Sequence, residues 1–430
     1  MARTGGLSAQ ARAEITARAS YGRLLAVLAA PTGDIPAAED ALADAFERAL
    51  TTWPVNGVPD NPEGWLLTVA RNRLRDLWKS AAVRRAAPLD DLDAGVATRS
   101  PTLDALDAID AQSIPEKRLE LLCVCAHPAI DPGVRTPLML QTVLGVSAAD
   151  IATAFAVPEQ TMAQRLVRAK RRIRSTRIRF VVPSLADLPL RLPAVLEAVY
   201  GAYAIGWAAA EQNASGSPES LAGEALYLAD TLAALLPTEP EVLGLAALLT
   251  LSIARAPARV SATGELVGLD EQDPALWDAA LIRRGERYLR AAHGLGRVGR
   301  FQLEAAIQSV HTDRARTGAT DWAALQTLHT ALVTVSPTLG AEVALAAVVG
   351  ETIGPGEALT LLDTLASTQP TVLAFQPYWA TRAHLLAQAG QVVDARDARE
   401  RAIALVRDER VRAALARRAA AFDAARSGGG

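Results

Sequence analysis

The residues able to do chemistry in this 430-residue chain gather in two cationic segments. Glu159 to Arg179 holds eight basic residues and one acid, and Arg71 to Arg85 holds six and one. In the first, Met162, Leu166, Ala169 and Ile173 recur at helical spacing as an inward seam. Thr161, Arg165, Arg168 and Arg172 occupy another face at the same spacing. A face of that kind neutralises phosphates and reaches base edges: arginine forks favour guanine, and Gln160 or Gln164 suits adenine. The stretch SAADIATAF, the break Ala156-Val157-Pro158 and this basic helix read as a helix-turn-helix, with Ser147 and Asp150 as an approximate capping box. In the second segment Arg71, Arg75 and Lys79 recur every four residues with Asn72 alongside, close to Trp65 and Trp78. Charge beside aromatic rings suits single-stranded or melted DNA, although Trp65 falls on the apolar side and is expected in the core.

Catalytic constellations are poor. Cys123, Cys125 and His127 spell C-x-C-x-H, but residues two apart on a helix diverge by about 200° and cannot converge on one tetrahedral zinc ion. His293, His311, His329 and His384 are scattered without paired acids. The glycine-rich AHGLGRVGRF at 292–301 follows no strand and reads as a helix break rather than a phosphate cradle. In the acidic block Leu269 to Asp278, Asp273 is expected to cap a helix starting near Pro274. No catalytic residue, metal or cofactor is expected, and the chain does not read as an enzyme.

The elements that must position the cationic faces are helices. Half of the residues are hydrophobic but only 4% are aromatic, a diet of Ala, Leu and Val that makes an all-β fold improbable. Two cysteines exclude a disulfide framework, and the first twenty residues lack the apolar core of a signal peptide, so a cytoplasmic location is expected. The longest nearly apolar run, Leu243 to Ala254, falls short of the ~20 residues that span a bilayer, and no membrane segment is expected. Ala37 to Thr52 reads as an acidic amphipathic helix, with Leu42, Ala45, Phe46, Ala49 and Leu50 as its buried stripe and Glu39, Asp40, Asp44 and Glu47 mostly elsewhere. The turn at 53–64 ends with Pro62 opening the next helix. Asp90, Asp91, Asp93, Asp104, Asp107 and Asp110 mark an acidic linker. Glu116 to Ala126 and Pro137 to Leu144 read as two further helices. From Pro183 onward, Pro and Gly punctuation leaves roughly ten helices. Near the end Trp379, Ala383, Leu386, Ala395 and Ala402 follow tetratricopeptide spacing. The charge is split as well: residues 1–180 carry 23 basic and 20 acidic side chains, and residues 181–430 carry 21 and 27.

In that order, AEDALADAFERALTTWP, VPDNPEGW, LLTVARNRLRDLWK, the acidic linker and SAADIATAFAVPEQTMAQRLVRAKRRIR resemble an extracytoplasmic-function sigma factor of bacterial RNA polymerase. The continuation through RLPAVLEAVY, LDEQDPALWDAALI and GRFQLEAAIQS resembles the subgroup with a large helical C-terminal extension. The resemblance implies an all-α chain: region two at 10–85, an acidic linker at 86–114, region four at 115–180 and a tetratricopeptide-like extension at 185–425. Glu39, Asp40, Asp44, Phe46 and Glu47 would dock on the polymerase clamp helices. Arg71, Asn72, Arg75 and Lys79 would meet the melted minus-ten element, with Asn72 at an extruded base. Glu159, Gln160, Thr161, Gln164, Arg165, Arg168 and Arg172 would read the minus-thirty-five element, and the polymerase flap would hold region four. Partners are thus the polymerase core and promoter DNA, with the acidic extension held against Arg71 to Arg85 or Arg165 to Arg174 as an intramolecular control. The segment 199–216 departs from the subgroup's aromatic and asparagine-containing pattern. Two rivals remain: a helix-turn-helix repressor or activator with a tetratricopeptide-like sensor, and an enzyme with a helical active site. The first leaves Asn56 to Lys79 without a task; the second needs convergent polar groups in the extension.

Overall fold

The computed structural model describes residues 20–86, 114–181, 183, 187–209, 220–261, 267–406, 412 and 417. All of the acidic linker at 86–114 except its two end residues, and the terminal SGGG, lie outside them. The architecture is all-α, with no β-strand among the described residues. The chain divides into two compact units, Met1–Trp207 with Ser217–Leu228, and Ala208–Gly216 with Ala229–Gly430.

The first unit opens with α1 (Ser20–Ala29) and α2 (Ile35–Asn56). Asp34 caps α2, its carboxylate accepting the Ala37 amide at 3.3 Å, and Gly57, at a φ of 87°, ends it. Ala38, Ala41, Leu42, Ala45, Ala49 and Trp53 form its buried arc. Leu50, expected inside, is 46% exposed and Phe46 only half-buried, because at 100° per residue Leu50 stands about 100° from the centre of that arc. Helix α3 (Pro62–Ala86) follows a cap by Asn61, and its Trp65 meets Trp53 edge-on at 5.6 Å.

After the linker come α4 (Ile114–Cys125), α5 (Pro132–Thr142), α6 (Ala148–Ala154) and α7 (Glu159–Thr176). Helix α5 starts earlier than its apolar pattern implies because Asp131 caps it, accepting the Gly133 amide at 2.7 Å. The capping box at α6 is reciprocal: Ser147 accepts the Asp150 amide at 3.1 Å and donates to its carboxylate at 2.7 Å. Helices α8 (Leu192–Ala209) and α9 (Leu221–Leu235) follow. The compact first unit therefore runs past residue 180. The Arg191 guanidinium donates to the Cys123 carbonyl at 3.1 Å, and Arg118, 1% exposed, pairs with Glu224 and lies over the Tyr227 ring.

The second unit is built around α10 (Pro240–Ile253), flanked by α11 (Ala279–Gly294) and α12 (Arg300–Thr317). Pro240–Ala258 is long and apolar enough to cross a bilayer by composition, yet 83% of it is buried, as in a core helix. Asp273 caps only a 3-10 turn, and Asp278 caps α11. Gly294, Gly296 and Gly299 have G-x-G-x-x-G spacing, but they join two helices. The amides at the start of α12 are already taken by Glu241, which accepts from Phe301 at 2.9 Å and Gln302 at 3.2 Å. Helices α13 (Trp322–Val335), α14 (Leu339–Thr352), α15 (Pro355–Thr368), α16 (Gln376–Gln388) and α17 (Val392–Ala404) complete it. Trp379, Ala383, Leu386, Ala395 and Ala402 share one core, and Gly390, at a φ of 77°, turns α16 into α17.

Candidate nucleic-acid interface

Ala156 carries a φ of 51°, a left-handed bend that turns α6 into α7. Past it, Met162, Leu166, Ala169 and Ile173 bury one side of α7 as their spacing predicts. Glu159, Gln160, Gln164, Arg165, Arg168 and Arg172 are exposed and Thr161 is half-buried. Arg165, Arg168 and Arg172 line an open cleft of about 620 Å³ whose other wall is Ile130 to Val134. Arg135 braces that wall by donating to the Ile130 carbonyl at 2.9 Å and the Pro128 carbonyl at 3.3 Å. The result is a row of guanidinium groups on a helix whose adjacent side, about 100° round, is fixed by packing.

On α3, Leu66, Ala70 and Leu74 anchor the helix. Asn72 and Lys79 are exposed, whereas Arg71 and Arg75 are half-buried. The Arg71 Nε is buried without a hydrogen-bond partner, so that guanidinium is held by packing. Arg73, between them, pairs with Asp44 at 2.6 Å and ties α3 to α2. Of the acidic residues on α2, Asp40 and Glu47 face solvent, Asp44 is spent on Arg73, and Glu39 is covered.

What covers Glu39 is a residue the apolar pattern did not single out. Lys170 lies four residues after Leu166, at the border of the α7 seam, and its ammonium reaches Glu39 at 2.5 Å. The two side chains are 9% and 19% exposed. One turn on, Arg174 reaches Asp34 at 3.3 Å. Tyr21 lies near Glu39, and burial, then that carboxylate, pushes its phenol well above its usual range. Nearby, Arg23 pairs with Glu63 at 2.6 Å. The anions meeting the basic end of α7 thus come from α2, while the extension's Glu224 meets Arg118.

Cys123 and Cys125 are buried, and burial raises their thiols to about 11 and about 12. The His127 Nδ1 is taken by the Ala129 amide at 3.0 Å. Among the described residues no three His, Cys, Asp or Glu side chains gather as a metal site.

Two family models match this chain. Sigma-70 region 2 covers residues 17–84, and a family of unknown function covers residues 191–293. Probable ECF RNA polymerase sigma factors SigI from two Mycobacterium tuberculosis strains are 34% identical over 151 residues, which is 34% of this chain and 49% of theirs. Residues 17–84 are thus a sigma-70 region 2, and this part of the chain is similar to extracytoplasmic-function sigma factors. An uncharacterized protein of Rhizobium meliloti (strain 1021) is 35% identical over 368 residues, 86% of both chains, so the long extension is shared with that relative. No solved structure matches. Within the chain, the region 2 match spans α1 to α3 and so contains Glu39, Arg71 and Asn72, whereas the unknown family spans α8 to α11.

Proposed function

We propose that this chain is a sigma factor that directs bacterial RNA polymerase core to specific promoters and opens the minus-ten region, acting in the cytoplasm as a dissociable subunit that makes no covalent bond itself. The observation that carries this is the exposed row Arg165, Arg168 and Arg172, beside a buried seam, in a chain whose α1 to α3 match Sigma-70 region 2. Region four reads the minus-thirty-five element with Glu159, Gln160, Thr161 and Gln164 beside those arginines. Region two holds the melted strand with Arg71, Arg75 and Lys79, and receives a flipped base at Asn72. Unstacking one base costs a few kcal/mol, which phosphate contacts and a preformed pocket offset. Asp40, Asp44, Phe46, Glu47 and, once uncovered, Glu39 meet the polymerase. The tetratricopeptide-like extension regulates access to these faces.

The test is run-off transcription with purified core polymerase and the full chain on a library of upstream sequences. Promoter-selective transcripts that need both components are expected. Selective DNA binding without any dependence on core would refute the sigma role and favour an independent regulator. Asn72→Ala should impair opening more than closed-complex binding, and unchanged permanganate reactivity of the minus-ten thymines would remove Asn72 from that role.

A further inference from the structure

Three features at one joint point the same way. The first is the Glu39 and Lys170 pair, both side chains largely withdrawn from water, with Tyr21 near the carboxylate. A buried pair of this kind recovers little more than its own desolvation, so it contributes more to which surfaces meet than to net stability. The second is steric fit. Gly22 of α1 lies so close to the end of α5 that a Cβ there would fall 1.7 Å from the Val143 carbonyl oxygen. Gly145 supplies the φ of 67° that ends this turn, and the Tyr21 ring packs against it at ordinary contact distance. The third is the identity of what is covered. Glu39, Phe46 and Leu50 lie on one edge of α2, within about 40° of each other around its axis. Helix α7 covers the Glu39 end, while Phe46 is half-buried and Leu50 is 46% exposed.

We propose that this joint is a shut form of the chain, in which the basic inner edge of α7, through Lys170 and Arg174, occupies the Glu39 end of the polymerase-docking edge of α2. The core polymerase and α7 then compete for the same carboxylates, and region two is fully presented only when region four swings away. This rests on the assignment of α2 as the polymerase-facing helix, but the joint itself can be tested without polymerase. The chain's own recognition helix is the inhibitor, and it leaves the outer row Arg165, Arg168 and Arg172 free.

The experiment uses the full chain spin-labelled at Arg48→Cys and Thr153→Cys, both exposed positions, with distances read by double electron–electron resonance. The native thiols are buried. Two variants open the joint by different routes. Lys170→Met keeps the stem's volume and removes the charge, and Gly22→Ala drives a methyl into Val143 while favouring the α1 helix itself. Each folded variant, checked by helical circular dichroism, should convert one narrow distance peak into a longer, broad distribution. Affinity for core polymerase should then rise about tenfold if the competent fraction climbs from about a tenth to near unity. A narrow, unmoved peak in both variants overturns the shut form, whatever the polymerase does. A peak that opens with no gain in core affinity overturns the competition. If neither wild type nor variants bind core, the sigma reading fails, and the distance data alone decide the joint.

Discussion

Arg165 and Arg172 make the sharpest test of how α7 meets DNA. They are seven residues apart, so at 1.5 Å per residue they stand about 10.5 Å apart along the helix axis. The major groove is about 12 Å wide. A recognition helix that enters by its N-terminal end therefore sets Arg165 over base edges while Arg172 reaches the phosphates at the groove's lip. Both side chains are exposed, so neither substitution disturbs the Met162, Leu166, Ala169 and Ile173 seam. Arg165→Ala should lose about 1–3 kcal/mol on the cognate site, roughly 5- to 150-fold, and nothing once the contacted base pair is changed. Arg172→Ala should weaken all sequences alike and reduce the slope of log affinity against log salt by about 0.9. Between about 50 and about 200 mM salt, its disadvantage relative to wild type should therefore shrink about 3.5-fold. Fluorescence anisotropy with cognate and mutated upstream duplexes, at two salt concentrations, measures both quantities. If the two variants lose the same affinity on every duplex with the same change of slope, α7 does not enter the groove by its N-terminal end.

Other predictions concern the scaffold. Glu224→Gln strands a guanidinium that is 1% exposed and should cost about 3–5 kcal/mol, whereas Arg118→Met leaves a carboxylate at 22% exposure that water can reach and should cost less; hydrogen exchange in α4 and α9 as slow as wild type in both variants would show that the pair is unimportant. Burial, helped by Arg255, His329 and Arg314, lowers the His311 imidazole from 6.5 to about 4. Since the unfolded chain takes up that proton first, the second unit should be fully stable above about pH 6.5 and lose about 3 kcal/mol as the pH falls from about 6.5 to about 4. Urea midpoints that do not fall with pH, or that fall equally in His311→Gln, would show that His311 is not the linked group. Cys123 and Cys125, with thiols raised to about 11 and about 12, should resist iodoacetamide at pH 8 until urea is added, and mass spectrometry of the native protein would reveal any labelling that contradicts this.

Much of the fold was legible because helical spacing and capping act within a few residues. The α7 seam, the Ser147 box and, among the described residues, the ten α-helices after residue 187 follow from apolar period, hydroxyl or carboxylate caps, and Pro or Gly breaks. The same local logic misplaced Leu50, since an apolar residue at the border of an arc is buried only if a neighbouring helix reaches it. The cap at Asp273 was legible too, though the helix it starts at Pro274 is a single 3-10 turn and Asp278 caps the longer helix a few residues on.

The exposed cationic row was written into the sequence, because charges that recur at helical spacing about 100° round from an apolar seam fall outside the packed face. The fate of Lys170 and Glu39 was not. They are separated by 131 positions in the chain. Each looks like an ordinary surface charge within its own helix, and no periodicity relates one to the other. Only the packing of α1 and α2 on α5 and α7 takes both out of water and makes them partners. Desolvation and ion pairing depend on distance in space, and tertiary structure alone sets that distance.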